Sequence, residues 1–274
     1  MNKAYRLLGR TCITGLGALI AYALSLGVRD ILGFHSHIFI FLFIFYLLLA
    51  YLVLPFIARL GAKFLYKKGR TTRYTTSVDG MPCDPVNVAL ICTEDQLRSI
   101  FSQAGWKTAD ALSLKSSLRM VQSFLFSKPY PTAPFSNLYL AGRPQDFGFQ
   151  LPIGDSPRKR HHVRFWELPL ESGYRQAHEF ADWLGEPSPN SKLKLWAGAG
   201  TRDTGLGLTK FTWQISHAVD DDANQERDFI VEELRKTGRV TASRLFPPPA
   251  GLMFPLNQFI TDGEILAAKV GDNV

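Results

Sequence analysis

The sequence predicts an α+β protein: an N-terminal transmembrane helical hairpin, then one soluble domain on a mixed, mainly antiparallel sheet. Three observations predict it. Two long uncharged runs open the chain, at residues 11–28 and 38–58. The basic surplus clusters around those runs and nowhere else. Beyond them helical patterns come first and strand patterns follow with few alternations, the order of an α+β domain rather than a doubly wound parallel sheet.

The two runs hold 18 and 21 residues, about 27 and 31 Å of helix at 1.5 Å per residue, against a hydrocarbon core of about 30 Å. The second (IFIFLFIFYLLLAYLVLPFIA) is the stronger, with Tyr46 and Tyr51 its most polar groups and a tolerable Pro55 near its end. Thr14, Gly15, Gly17, Ser25 and Gly27 dilute the first. Lys3, Arg6 and Arg10 before Ala21-Tyr22-Ala23 also fit a cleavable signal sequence. Small residues equally suit close packing of membrane helices, and the apolar run continues past the cut, which favours the uncleaved hairpin.

Charge sets orientation. Residues 1–73 carry 10 Lys+Arg and one acid, Asp30, a surplus of +9; residues 74–274 carry 21 Lys+Arg and 23 acids, a balance of −2. The positive-inside rule places both termini and the domain on the cytoplasmic side of the inner (plasma) membrane, crossed twice. The stretch RLGAKFLYKKGR from Arg59 extends onto the inner surface, where each Lys or Arg is worth about 1 kcal/mol against anionic lipid. The expected partners are the lipid bilayer and other inner-membrane proteins. Nucleic acid is excluded, because the overall +7 is a topology signal rather than a footprint. His35 and His37 in the connecting loop read as interfacial. Cys12, Cys83 and Cys92 form neither a CxxC nor an even framework, consistent with reduced thiols.

Three parts follow: an anchor over 1–73, a polar linker over 74–85 with Gly80, Pro82 and Pro85, and a domain over 86–274. Within the domain, residues 86–92 have a strand's length. Thr93 caps a helix that places Leu97, Ile100 and Phe101 on one face and ends at Gly105. Residues 114–126 read as a second helix, stopped by Pro129, Pro131 and Pro134. Strand patterns cover 137–141, 147–151, 161–168, 192–197 and 211–219; a third helix covers 221–236 up to Gly238. Residues 260–270 read as a hairpin around Asp262-Gly263.

Four blocks then stand out in order: LYLAGRPQD from Leu138, RHHVRFW from Arg160, WAGAGTRDTG from Trp196, and the acidic run ending Glu226-Arg227-Asp228. Together they resemble the LssY C-terminal domain family, over about residues 84–270. The resemblance implies attachment to a membrane, since that domain is often joined to membrane proteins of the DedA or phosphatidic-acid-phosphatase type. It implies no defined activity. Phosphatase chemistry is not carried across with it, because this chain pairs the domain with a hairpin alone.

The blocks supply the candidate site. Strand alternation puts His161, Val163 and Phe165 on one face of RHHVRFW and His162, Arg164 and Trp166 on the other. His161 then reads as a hydrogen-bonded core histidine, and His162 beside Arg164 as a pair able to hold an anion. In WAGAGTRDTGLG, glycines surround Arg202 and Asp203 just after a strand, which suits either close backbone approach to a phosphate or carboxylate or a tight structural hairpin. No GK[ST] or helix-opening GxGxxG supports nucleotide binding, and no GxSxG supports a serine hydrolase. His217 shares a strand face with Phe211, Trp213 and Ile215, which favours burial, yet lies at the strand's end before Asp220, Asp221 and Asp222. The catalytic candidates are His162, Asp203, His217 and Asp220, with Arg143, Arg164 and Arg202 as substrate-binding residues. Histidines and carboxylates meeting there can ligate a divalent metal such as Zn²⁺, Mn²⁺ or Fe, although the spacing matches no standard motif. Two functions follow: a membrane-tethered hydrolase, metal-dependent or His/Asp-based, acting on a phosphorylated or lipid-related substrate, or a non-catalytic domain docking on other inner-membrane proteins. The convergence of His162, Asp203 and His217, spread over 55 residues, separates them.

Overall fold

The computed structural model describes residues 3–32, 38–65, 74–78, 82–126, 128–154, 158–168, 192–209, 212–247 and 259–271. Helix α1 (Lys3–Leu32) comes first. A second continuous helix follows as α2 (Ile38–Leu48), a five-residue π turn (Leu49–Val53) and α3 (Leu54–Leu65). The π turn has a local cause. Pro55 lacks an N–H and its ring crowds the carbonyl four residues back, so the ladder widens by one residue there. The two helices pack through Ala21, Leu49, Val53 and Leu54. Gly17 makes this possible, because a Cβ there would lie 2.5 Å from Leu54 Cδ2.

Among the described residues one helix, Ile38–Ala58, with mean hydropathy 2.7, is long and apolar enough to cross a membrane, so the structure carries one candidate span of the expected pair. The loop between the runs, with His35 and His37, lies outside the described residues.

The remaining strands form two sheets among the described residues. The smaller runs β2 (Pro82–Pro85), β1 (Tyr74–Thr76), β5 (Tyr139–Leu140), β6 (Arg143–Pro144). The segment read as a linker therefore contributes two strands, anchored by fully buried Thr75 and nearly buried Tyr74. Of the residues that signal a linker, Pro82 and Pro85 bound β2, and Gly80 lies outside the described residues.

The larger sheet is built from β3 (Val88–Cys92), β4 (Lys107–Thr108), β7 (Phe147–Pro152), β8 (Arg160–Leu168), β9 (Lys194–Leu208), β10 (Ile215–Val219), β11 (Val240–Phe246) and β12 (Ile265–Val270). Its order is β11-β12-β3-β9-β8-β7-β4, with β10 on the far half of β9, and the β12–β3 pair is parallel while its other pairs are antiparallel. The hairpin expected over 260–270 is not formed: Ile260 bridges to Asp222, and β12 inserts between β11 and β3. Its run ILAAKV buries both faces, as an interior strand must.

Helices α4 (Glu94–Gln103) and α6 (Ala223–Arg235) cover one face. Thr93 closes a capping box with Gln96, and Asp222 caps α6. Leu97, Ile100, Phe101, Ile230 and Leu234 meet Val88, Leu90, Phe149, Phe165 and Trp196 of the sheet. The opposite face carries Leu138, Leu140, Trp166, Ala197 and Ala199, where the small sheet docks, and α5 (Leu114–Leu125) flanks it.

The long strand β9 changes neighbours partway. Its register with β3 ends at Gly198, and with β10 it begins at Asp203. Asn87 fills the gap. Its N–H donates to the Gly198 carbonyl at 3.0 Å, its side-chain oxygen accepts from Gly200 N–H at 2.9 Å, and its amide nitrogen donates to the carbonyls of Gly200 and Ala223, each at 3.0 Å. Asp220 N–H then donates to the Arg202 carbonyl at 2.8 Å. The Gly198 and Arg202 carbonyls and both backbone groups of Gly200 are thereby paired across the change. Asn87→Ala leaves several of these groups buried without partners, so it is expected to lower stability by about 3 kcal/mol. Denaturant titration with an unchanged slope checks this; a loss below half that size counts against the role given to Asn87.

Candidate functional site

The site is written in the register of β8 against β9. Arg160 lies opposite Asp203, His162 opposite Thr201, and Arg164 opposite Ala199. Cross-strand partners share a face, so these side chains form one row on the face away from α4 and α6. Strand alternation on RHHVRFW holds: His161, Val163 and Phe165 point to the helices. The row opens into a cavity of about 390 Å³, which Asp84, Met120, Phe135 and His217 also line.

Two buried ion pairs frame it. Arg160 Nε donates to Asp203 Oδ2 at 2.9 Å, and its Nη1 donates to Gln150 Oε1 at 2.7 Å and to the Ala133 carbonyl at 3.1 Å. Arg164 Nη1 donates to Asp84 Oδ2 at 2.6 Å. Phe135 lies beneath both guanidiniums, 4.5 Å from Arg164 and 5.3 Å from Arg160, with its centroid 5.4 Å from His162's. Gly148, opposite Arg164, admits that ring: a Cβ there would collide with Phe135.

His162 sits between the pairs. Its Nε2 is 2.9 Å from Thr201 Oγ1, and its Nδ1 is 3.6 Å from Asp203 Oδ2, longer than a hydrogen bond. Among the described residues, the buried Nδ1 of His162 and Nε of Arg164 have no hydrogen-bond partner. Burial, reinforced by Arg164 and Arg160, holds the His162 pKa well below the usual value of 6.5. Burial also lowers His217, although Asp203 pulls the other way. Both imidazoles are therefore neutral at physiological pH. Thr201 Oγ1 can donate to Nε2 or accept from it; in the tautomer in which it donates, the ring proton of His162 sits on Nδ1, facing Asp203. Burial raises Asp84, Arg164 opposes, and Asp203 adds to the rise. Cys83 is no nucleophile: burial and Asp84 push its thiol up to about 12.

His217 reaches this cavity through a β-bulge. Val219 pairs with Asp203 but Ala218 pairs with Gly205, so Thr204 is an extra residue on β9. The bulge shifts the alternation and brings His217, paired with Leu206, onto the cavity face. Sharing a face with Trp213 and Ile215 did not mean burial, since both are exposed; Phe211 lies outside the described residues.

Of the residues singled out from sequence, His162, Asp203, His217 and Arg164 converge. Arg202, Asp220 and Arg143 do not. Arg202 projects from the opposite face of β9, with Nη1 3.8 Å from Asp220 Oδ2, near the His161–Glu226 pair at 2.8 Å. Asp220 accepts from Asp222 N–H at the approach to α6. Arg143 is exposed and ties β6 to β8 through the Glu167 carbonyl at 2.9 Å. The glycines around Arg202 belong to a continuous strand rather than to a loop or a tight hairpin. At Gly198 a Cβ would lie 2.7 Å from the Phe165 ring, which explains that position. Among the described residues no group of three His, Cys, Asp or Glu side chains is placed to share a metal ion. The row offers guanidiniums where a metal site would need further carboxylates. Sequence reasoning missed Arg160, Thr201 and Asp84. Alternation from His162 reaches Arg160 in one step, whereas nothing local marks Asp84.

The fold and site thus define a class: an α+β domain beside an apolar helix, with a buried arginine–histidine–aspartate pocket on the sheet face opposite its main helices. More particularly, the chain belongs to the LssY C-terminus family, whose model matches residues 68–265. No curated protein and no solved structure gives a significant match.

Two outcomes follow. The unfolded chain protonates His162 near 6.5 and the folded chain only well below it. Stability from neutral His162 is therefore present above about 6.5 and lost as pH falls toward the folded value. His162→Gln is expected to flatten that acid limb in melting temperatures recorded between pH 7 and pH 5; an unchanged limb contradicts a buried neutral His162. Asp203→Ala strands Arg160 as a buried cation and is expected to lower stability by about 3–5 kcal/mol, measured by the same titration.

Proposed function

We propose that the protein is a membrane-anchored hydrolase whose cytoplasmic domain acts on a phosphorylated or lipid-related substrate at the inner membrane. One observation carries the reading: two neutral histidines, two carboxyl groups and two buried guanidiniums line a single cavity. The cavity is lined by the residue types that acyl- or phosphoryl-group hydrolysis needs. Arg164 Nε–H is a buried donor left open among the described residues, and so is His162 Nδ1–H in the tautomer in which Thr201 donates to Nε2; an oxyanion accepts from both. Neutral His217 serves as general base toward water, and the imidazolium so formed returns that proton to the leaving oxygen. Asp203 and Thr201 orient His162; Arg160, held by Gln150 and Asp203, steadies Asp203. His217 is the second imidazole. A divalent metal is not needed for these roles.

Anchorage is supported by the apolar helix Ile38–Ala58 and by the packing of α1 against it. The basic residues flanking both runs favour a two-pass arrangement with both ends inside.

The test uses full-length protein in detergent micelles, with phosphate release followed from phosphatidic acid and from a soluble phosphomonoester. His162→Gln and His217→Gln are each expected to lower turnover about 100-fold or more, with melting temperatures near wild type at pH 8. Equal turnover in the variants removes the assignment. Anion binding without turnover in the wild type favours the non-catalytic docking domain instead.

A further inference from the structure

Helix α5 turns an apolar stripe outward. On its inner side, beside half-buried Met120, Ser116 and Ser123 are 8% and 3% exposed, Ser116 Oγ donates to the Ala111 carbonyl at 2.9 Å, and Ser123 Oγ donates to the Lys128 carbonyl. Its outward side is apolar. Leu114, Leu118 and Val121, spaced four and three apart on one stripe, are 80%, 58% and 53% exposed, with Leu112 and Phe126 exposed at the ends. A capping box at Ser113 fixes the helix start, so the stripe belongs to a well-formed helix. Lys115 and Arg119 flank it, both exposed.

A second apolar surface lies across the cavity. On the β9–β10 hairpin, Leu206, Leu208 and Ile215 share the face of His217 by register, and all three are exposed, as is Trp213 at the tip. This hairpin touches the apolar helix. Tyr46 Oη donates to the Trp213 carbonyl at 3.0 Å, and Ile215 N–H donates to Tyr51 Oη at 3.2 Å. The two tyrosines, the most polar side chains of that run, thereby satisfy hairpin backbone groups, as irregular backbone at membrane depth requires. From Ile215 to Val219 is about 13 Å of strand, so the cavity adjoins the run's surface. Met120 of α5 and His217 and Val219 of β10 line its two sides.

We infer that α5 and the β9–β10 hairpin form one lipid-facing surface, with the hairpin tip beside Tyr46 and Tyr51 inside the bilayer that the Ile38–Ala58 helix enters and α5 at the acyl-chain boundary of the leaflet on that side. The inference rests on the anchored reading above and not on hydrolysis. An apolar stripe bordered by cations is the pattern of a helix lying in an anionic lipid interface, and contact with the apolar helix fixes which surface it meets. The occupant is lipid. The cavity then receives a group presented at the bilayer surface.

The test places the fluorophore NBD at single sites in full-length protein carrying Cys12→Ser, reconstituted in phosphatidylcholine–phosphatidylglycerol vesicles with nitroxide lipids as quenchers. The thiols of Cys83 and Cys92, both pushed up to about 12, stay unlabelled at neutral pH. Sites are Leu118→Cys on α5, Leu206→Cys on the hairpin, Phe43→Cys on the apolar helix and Glu232→Cys on α6. Blue-shifted emission and severalfold stronger quenching at 118 and 206 than at 232 are expected. Water-like emission at 118 and 206, with the 43 site quenched, overturns the inference while leaving the anchor intact; an unquenched 43 site overturns the anchor itself. Cross-linking between copies through 118 in place of lipid quenching also overturns it, by making the stripe a dimer interface. The triple change Leu114→Ser, Leu118→Ser and Val121→Ser should leave the melting temperature in detergent unchanged and abolish quenching of a label at Lys115→Cys.

Discussion

Strand β9 must satisfy two different neighbours in succession, and most of the domain is arranged around that requirement. Its first part pairs with β3, its last part with β10, and β8 runs alongside through the changeover. A strand whose partner stops leaves buried N–H and C=O groups, each costly if unmatched. Asn87 supplies a side chain with a peptide's donor and acceptor where β3 has no more backbone to offer, and it fastens the same point to Ala223 of α6. Helix, sheet and cavity floor are thereby locked at one residue.

The cavity is a product of that arrangement. Opposite the changeover, on the face that the main helices leave uncovered, β8 and β9 hold Arg160, Asp203, His162 and Thr201 in adjacent cross-strand pairs. Rigid strands position such groups more tightly than loops do. The electrostatics follow from enclosure. Two guanidiniums kept charged by carboxylates sit beside two imidazoles kept neutral by burial. Buried ion pairs contribute little net stability, so their presence here is better explained by what they hold in place than by the energy they add.

The sequence was informative where a local rule applied and silent where the rule depended on a distant partner. Alternation along RHHVRFW separated His161 from His162 correctly, because β8 is regular and each face has a single environment. Thr93 and Gly105 bounded α4 by capping chemistry alone. The glycine-rich stretch misled, since Gly198 yields to an aromatic ring on the neighbouring strand, which composition does not reveal. Asp84 looked like linker because its strand is four residues long and its role depends on Arg164, 80 residues away. The first apolar run forms a helix that packs on the second, as its small residues suggest, with Gly17 admitting Leu54. Helix 114–126 was visible, yet only the fold shows that its leucines face outward.

The bulge at Thr204 restricts how this hairpin can vary in length. A strand repeats every two residues, and one additional residue has already been used to bring His217 to the cavity face. Straightening the bulge with Thr204 kept would turn Leu206, Leu208 and Ile215 over together with His217, whereas losing Thr204 along with the bulge would keep Asp203 opposite Val219 and all four on the same face. Related chains that preserve the pocket should therefore carry both the bulge and its extra residue or neither, a pairing that any alignment of them can be held to.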